Sequence, residues 1–431
     1  MKITIVDKKY EDVIAMPKDR HIKPQKQWTV LRFLMKSLAY FDLRATNFKY
    51  KRINMELLGE NEPCLVLMNH SSFIDLEIVA TILHKRNFNI VTTSDAFAGI
   101  MKRIMYLIGC IPTKKFVSDA NLIRDMLYCV KQLKSTVVMY PEASYSFDGT
   151  ATPLPDSVGR CVKILGVPVV MIRTYGAFTR QPLYNSLRKR KVDVSADVKY
   201  LISPQQVSEW DADKINEIIN REFTFDNFAW QQENEVDVRD EERAEGLNRV
   251  LYKCPHCLTE GQMEGHGAVI RCGHCGVQYE LTERGFLQAI NGESRFQHIP
   301  DWYRWERDCV RRELEDHTYD MEVPVDICMM VNMKSIYRVG EGVLKHSEKG
   351  FHLTGCDGKL EYCQKPTSSY SLYADYYWYE IADVICIGDV NVLYYCFPKN
   401  GKDIVAKTRL ATEELYKIAR RSLKKAARKS M

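Results

Sequence analysis

The spacing of apolar and polar positions divides the chain into stretches of different character. Across residues 24–44, Leu31, Leu34, Met35, Leu38 and Phe41 recur every three or four residues, which predicts an amphipathic helix. Basic residues flank it: Lys18, Arg20, Lys23 and Lys26 before, Lys49, Lys51 and Arg52 after. Such a stripe either packs on a domain or lies in a membrane interface. Residues 64–69, 89–93, 135–141 and 167–176 are short apolar runs, often β-branched, with helical stretches such as 75–86 and 119–134 between them. This alternation predicts an α/β domain with a largely parallel sheet over residues 56–232, after an N-terminal segment 1–55. Residues 233–249 are acidic and poor in large apolar residues, and read as a linker. Residues 286–318 form a second linker, with a helix over 299–316 and Pro300 near its first turn. Residues 319–431 carry strand-forming runs separated by glycine-containing turns, then a helix from 410.

Length supports this division, because 431 residues exceed what a single core usually serves. No window approaches the roughly 18–20 uncharged apolar residues of a spanning helix. The first residues lack the apolar centre of a signal peptide. The expected location is therefore the cytoplasm, with peripheral attachment to the inner face of a membrane. Of the 14 cysteines, ten are scattered among apolar or strand-like neighbours and read as small buried hydrophobes in a reducing compartment.

The other four form two knuckles within residues 250–285. Cys254 and Cys257 are followed, after fourteen residues, by Cys272 and Cys275. Two such pairs place four thiolates within reach of one tetrahedral zinc ion, and the segment resembles a zinc ribbon. Four cysteine ligands leave no open coordination position, so the expected zinc is structural. A redox dithiol is the competing reading. His256 and His274 lie inside the knuckles and are expected to face solvent. No flanking basic cluster supports a nucleic-acid partner.

A further candidate lies where the first buried run ends in Asn69-His70, with Asp75 five residues on. A histidine at a strand mouth and a carboxylate one turn into the next helix can pair. The carboxylate then fixes the imidazole tautomer, leaving the other nitrogen to accept a hydroxyl proton. Spacing alone equally allows Asp75 to support a helix start.

The segment resembles the H-x-x-x-x-D signature of glycerolipid acyltransferases of the 1-acylglycerol-3-phosphate type. The family's later blocks follow in order: Gly109 to Lys115, Pro141-Glu142-Ala143-Ser144-Tyr145 after an apolar strand, and the apolar run around Pro168. The resemblance implies that His70 is the general base, Asp75 orients it, and Glu142 binds or orients the acceptor. Asn69, Lys114, Lys115 and Ser144 are the other substrate-binding candidates. It implies an acyl thioester donor, acyl-CoA or acyl carrier protein, and a lysophospholipid or glycerol-phosphate-type acceptor. Oxyanion stabilisation is expected from backbone amides near the start of the helix after His70 or in the third block. Three departures bear on the acceptor. Lys115 and Tyr145 stand where the family has arginines, and Ala143 where it has glycine. Lys114, Arg160 and Arg173 are the nearest substitutes. The altered third block supports a second reading, a non-catalytic lipid-binding or partner-docking protein directed by its ribbon.

The last domain resembles pleckstrin-homology or GRAM barrels capped by a C-terminal helix. That helix carries Arg409, Lys417, Arg420, Arg421, Lys424, Lys425, Arg428 and Lys429, suited to an anionic membrane surface. Tyr370, Tyr373, Tyr376, Tyr377 and Tyr379 are expected to pack within the sheet.

Overall fold

The computed structural model describes residues 3–399 and 404–429, without the side chains of 424 and 426–429. The expectations for Lys424, Arg428 and Lys429 therefore lie outside the described residues. The N-terminal half is built on a seven-stranded sheet. Its spatial order is Lys49–Ile53, Ser195–Ile202, Val169–Tyr175, Leu65–Met68, Thr136–Met139, Phe88–Thr93 and Cys110–Thr113. Every neighbouring pair is parallel except Val169–Tyr175 with Ser195–Ile202, in keeping with the expected sheet.

The central strand Leu65–Met68 is buried on both faces, which is why it reads as an unbroken apolar run. Its pleat divides it between two cores. Val66 and Met68 join Ala39, Leu43, Ile74 and Ile78 on one side. Leu65 and Leu67 join Met126, Val162 and Ile215 on the other. Helices thus cover both faces, and the carboxyl ends of the central strands open at one edge, the usual place for a site in such sheets.

The N-terminal helix runs over Thr29–Ala45, starting later than its periodicity suggests. Its buried residues are Arg32, Ala39 and Leu43. Arg32 donates to Asn87 Oδ1 at 2.6 Å and to the Arg86 carbonyl at 3.1 Å. Much of the predicted apolar stripe is uncovered: Phe41 is 75% exposed, Leu38 66% and Leu34 51%. No described helix is long and apolar enough to cross a membrane.

The acidic stretch after the first domain is not the free linker its composition suggests. Ala244, Leu247 and Val250 are buried, and Arg243 is held by Glu280 at 2.8 Å and by the Leu281 carbonyl. The knuckles belong to a four-stranded antiparallel sheet made of Leu287–Ala289, Gln278–Leu281, Val269–Cys272 and Met263–His266. Its core does not stand alone. Ile270, Tyr279 and Leu281 share one continuous apolar cluster with Trp302 and Val310 of the helix Ile299–Glu315, with Val325 and Leu353 beyond it, and with Leu410 of the last helix.

The C-terminal sheet contains two antiparallel meanders. One runs Asp320–Met330, Ile336–Ser347, Gly350–Gly355, Leu360–Gln364, and the other Tyr373–Trp378, Ala382–Gly388, Leu393–Pro398. They join where Leu393–Pro398 pairs with Asp320–Met330, whose register shifts between Ile327 and Cys328. Such a bulge bends the long strand where the two meanders join. Ile5–Asp7 adds in parallel to Ile336–Arg338, tying the N-terminus to this domain. The last helix, Ile404–Lys429, starts earlier than the pattern suggests. It joins Ile299–Glu315 through Arg307–Glu413 at 2.6 Å and Arg311–Glu414 at 2.9 Å.

Candidate active site

Strand Leu65–Met68 ends at Asn69, the chain turns through Ser71–Phe73, and the helix Ile74–Ile82 begins. Asp75 lies in its first turn and is fully buried. One oxygen, Oδ2, accepts from the Ser71 amide at 2.7 Å, the Ser72 amide at 3.1 Å and His70 Nδ1 at 3.1 Å. A carboxylate can only accept, so Nδ1 carries the proton and Nε2 keeps its lone pair. Burial pushes the His70 pKa below the ordinary histidine value, and the Asp75 contact opposes this only in part. The imidazole is therefore neutral at neutral pH, the form a base requires.

The other candidates are placed differently from what spacing suggested. Glu142 Oε1 accepts from the His70 amide at 3.1 Å; Oε2 accepts from the Thr152 amide at 2.9 Å and its hydroxyl at 3.0 Å. Both oxygens thus have protein partners, and Glu142 ties the loop of His70 to Thr152. Burial raises its pKa to about 7 against these hydrogen bonds. Asn69 also has a framework role, its Oδ1 accepting from the Thr174 amide at 2.9 Å and its Nδ2 donating to Ser71 Oγ at 3.1 Å. The amides of His70, Ser71 and Ser72 are committed to Glu142 and Asp75. Ser72 Oγ, Ser144 Oγ and Tyr140 Oη are buried hydroxyls without a partner among the described residues. Ala143 sits at φ 58°, the left-handed region where the family's glycine is at ease. An alanine there costs on the order of 1–2 kcal/mol, strain of the kind stored at functional turns.

The rings around His70 escaped the motif reading. Tyr140 stacks on the imidazole with centroids 4.2 Å apart, and Tyr145 lies against it at 4.3 Å. Tyr145 therefore places an aromatic wall where the resemblance leads one to expect a guanidinium. The only sequence signal was the departure itself.

The two lysines are engaged by the C-terminal domain. Lys114 Nζ donates to the Val390 carbonyl at 2.6 Å and the Asp389 carbonyl at 3.4 Å. Lys115 Nζ lies 4.3 Å from the centre of the Tyr373 ring. Nearby, half-buried Asp375 has its pKa raised to about 6 by desolvation, partly offset by Lys115. Tyr373 Oη donates to buried Asp95 at 2.5 Å, and Tyr370 Oη to the Pro141 carbonyl at 3.3 Å. Tyr370 and Tyr373 thus do more than pack within the sheet: they join the C-terminal domain to the edge that carries His70, whereas Tyr377, expected to pack, is exposed. Of the proposed substitutes, Arg173 is bound to Glu222 and Arg160 is exposed.

The four knuckle cysteines converge, with all Sγ atoms within 4.8 Å of one another. Cys254–Cys275 and Cys257–Cys272 are each 3.7 Å apart, far beyond a disulfide bond. A tetrahedral ion with metal–sulfur bonds of about 2.3 Å needs sulfur–sulfur edges of roughly 3.8 Å. The residues therefore fit a metal ion, and His256 and His274 are exposed outside the cluster.

Residues 27–174 match the protein-family profile described as Acyltransferase, which spans His70, Asp75, Glu142 and both lysines. No curated protein matches the chain. Among solved structures, the chain is similar to the 1-acyl-sn-glycerophosphate (LPA) acyltransferase PlsC from Thermotoga maritima. That similarity has 13% identity and a TM-score of 0.35, and covers 45% of this chain and 78% of that one.

Proposed function

We propose that this chain, which carries an acyltransferase-family domain at residues 27–174, is a membrane-surface O-acyltransferase. It moves a fatty acyl group from acyl-CoA or acyl carrier protein to the hydroxyl of a lysophospholipid-type acceptor. The carrying observation is the His70–Asp75 contact at a strand mouth. Nε2 of His70 takes the acceptor hydroxyl proton as the oxygen attacks the thioester carbonyl. The tetrahedral adduct collapses with loss of the thiolate, which receives that proton, and His70 is neutral again. The hydroxyls of Ser144 and Tyr140 are available donors to the oxyanion. Acyl-transfer assays with a panel of lysolipid acceptors and both donor types test this reading.

The base must be unprotonated, so the rate rises with pH through the His70 pKa. Since burial lowers that pKa, the acid limb of kcat/KM is expected below the ordinary value of about 6.5. An acid limb above pH 7 would remove His70 as the base.

A second reading, a non-catalytic platform, is favoured by the C-terminal domain's hold on Lys114 and Lys115. A folded chain inactive with every acceptor and donor would support it. The order of the two C-terminal meanders and the helix that follows support a pleckstrin-homology-type domain. The four converging thiolates support structural zinc.

Membrane attachment is supported by the uncovered face of Thr29–Ala45. Leu34→Ser combined with Leu38→Ser removes two exposed leucines, together worth about 3 kcal/mol or more on insertion. Vesicle co-sedimentation should fall on the order of 100-fold. Unchanged binding would show that this face is not the anchor.

A further inference from the structure

Between the acyltransferase-family domain, the helix Ile299–Glu315 and the last helix lies a cleft of about 350 Å³ that takes no part in the transfer described above. Its size suits a small ligand. Arg304 and Arg307 reach it from one helix, and Arg409 and Lys417 from the other, two turns apart on one face. Asp148 and Glu413 are the lining carboxylates, and three of the cations already have a carboxylate beside them: Arg304 meets Asp301 at 2.8 Å, Arg307 meets Glu413 at 2.6 Å and Lys417 meets Glu414 at 2.7 Å. Asp148 is already engaged with Thr150 through its amide and hydroxyl.

Arg409 is the decisive group. It is 2% exposed, its Nε lies 3.3 Å from Glu413, and its guanidinium rests on the Phe147 ring at 4.3 Å. Its Nη1 is buried with no partner among the described residues. A buried donor atom left without an acceptor is costly even when the group's charge is paired, so an orphan of this kind calls for an acceptor. Arginines converging from separate elements suit the several oxygens of a phosphate better than a single carboxylate. Phe147, Leu154 and Phe223 supply apolar wall for the rest of such a ligand.

We infer that this cleft binds a phosphate-bearing ligand through Arg304, Arg307, Arg409 and Lys417. The site is separate from His70 but near it. Thr152 lines the cleft and donates to Glu142, which in turn holds the His70 amide. The phosphate is carried either by a soluble ester or by a lipid headgroup, and the two sources separate experimentally.

Binding to the full chain, without acyl donor, is measured by calorimetry with glycerol 3-phosphate and by co-sedimentation with phosphatidylcholine vesicles with and without phosphatidic acid. The outcome is thus independent of whether the chain transfers acyl groups. Saturable binding of at least one phosphate source is expected, weakened tenfold or more by Arg304→Gln with Lys417→Gln and by Arg409→Gln. The first pair lies at the rim and keeps the test valid if the buried substitution fails to fold. Binding of glycerol 3-phosphate identifies a soluble ester. A response to phosphatidic acid alone, lost in the variants, identifies a headgroup. Absence of binding to both sources, or equal affinity in native chain and rim variant, overturns the inference.

Discussion

His70→Ala is expected to lower kcat/KM for acyl transfer by about 100- to 10,000-fold, the usual cost of losing a positioned base. Asp75 Oδ2 gathers the Nδ1 proton and two backbone amides, so the ring is held in one tautomer with Nε2 free to act. Tyr140 and Tyr145 hold the ring from its sides, so the substitution also removes packing. A thermal melt of the variant therefore accompanies the kinetics. Asp75→Asn should impair the rate as well, because an amide at the Oδ2 position can donate to Nδ1 and favour the wrong tautomer. Near-native turnover by a folded His70→Ala chain would sink the assignment.

Removal of the metal is expected to do more than loosen residues 250–285. Structural zinc in four-ligand sites contributes roughly 10–16 kcal/mol of apparent binding free energy, comparable to the whole stability of a domain at about 5–15 kcal/mol. Here Cys254 and Cys272 are fully buried in the cluster that also holds Trp302, Val325 and Leu410. Tyr279 meets Trp302 edge-on at 5.3 Å, and Trp302 Nε1 donates to the Lys253 carbonyl beside the first knuckle. Cys272→Ser, or chelation on warming, should therefore lower Tm by more than about 10 °C and expose the helix Ile299–Glu315 to protease along with the ribbon. Elemental analysis should find about one zinc per chain. A metal-free chain with an unchanged melt would contradict this reading.

The clearest sequence signals were local. His70 and Asp75 are five residues apart across one strand–turn–helix unit, so spacing allowed them to meet, while Asp75 also supports the helix start through the Ser71 and Ser72 amides. The same holds within each cysteine knuckle, where two thiolates lie one turn apart and only the pairing of the knuckles is tertiary. The apolar runs also announced the parallel sheet, because strands buried on both faces have no polar side.

What the neighbourhood of His70 does depends on contacts between residues remote in the chain, which spacing does not encode. Glu142 became a clamp because its own loop brings Thr152 to one oxygen while the end of strand Leu65–Met68, seventy-two residues earlier, brings the His70 amide to the other. Lys114 and Lys115, read as substrate-binding candidates, also meet residues more than 250 positions away. The periodicity of the first helix showed an apolar stripe but not its covering, and packing buried Arg32 while leaving Leu38 and Phe41 exposed. Sequence by itself determined which groups with chemistry exist and which local pairs they form. Tertiary structure decided which of them remain free, because a hydrogen-bonding group is satisfied by whichever partner the fold brings within about 3 Å.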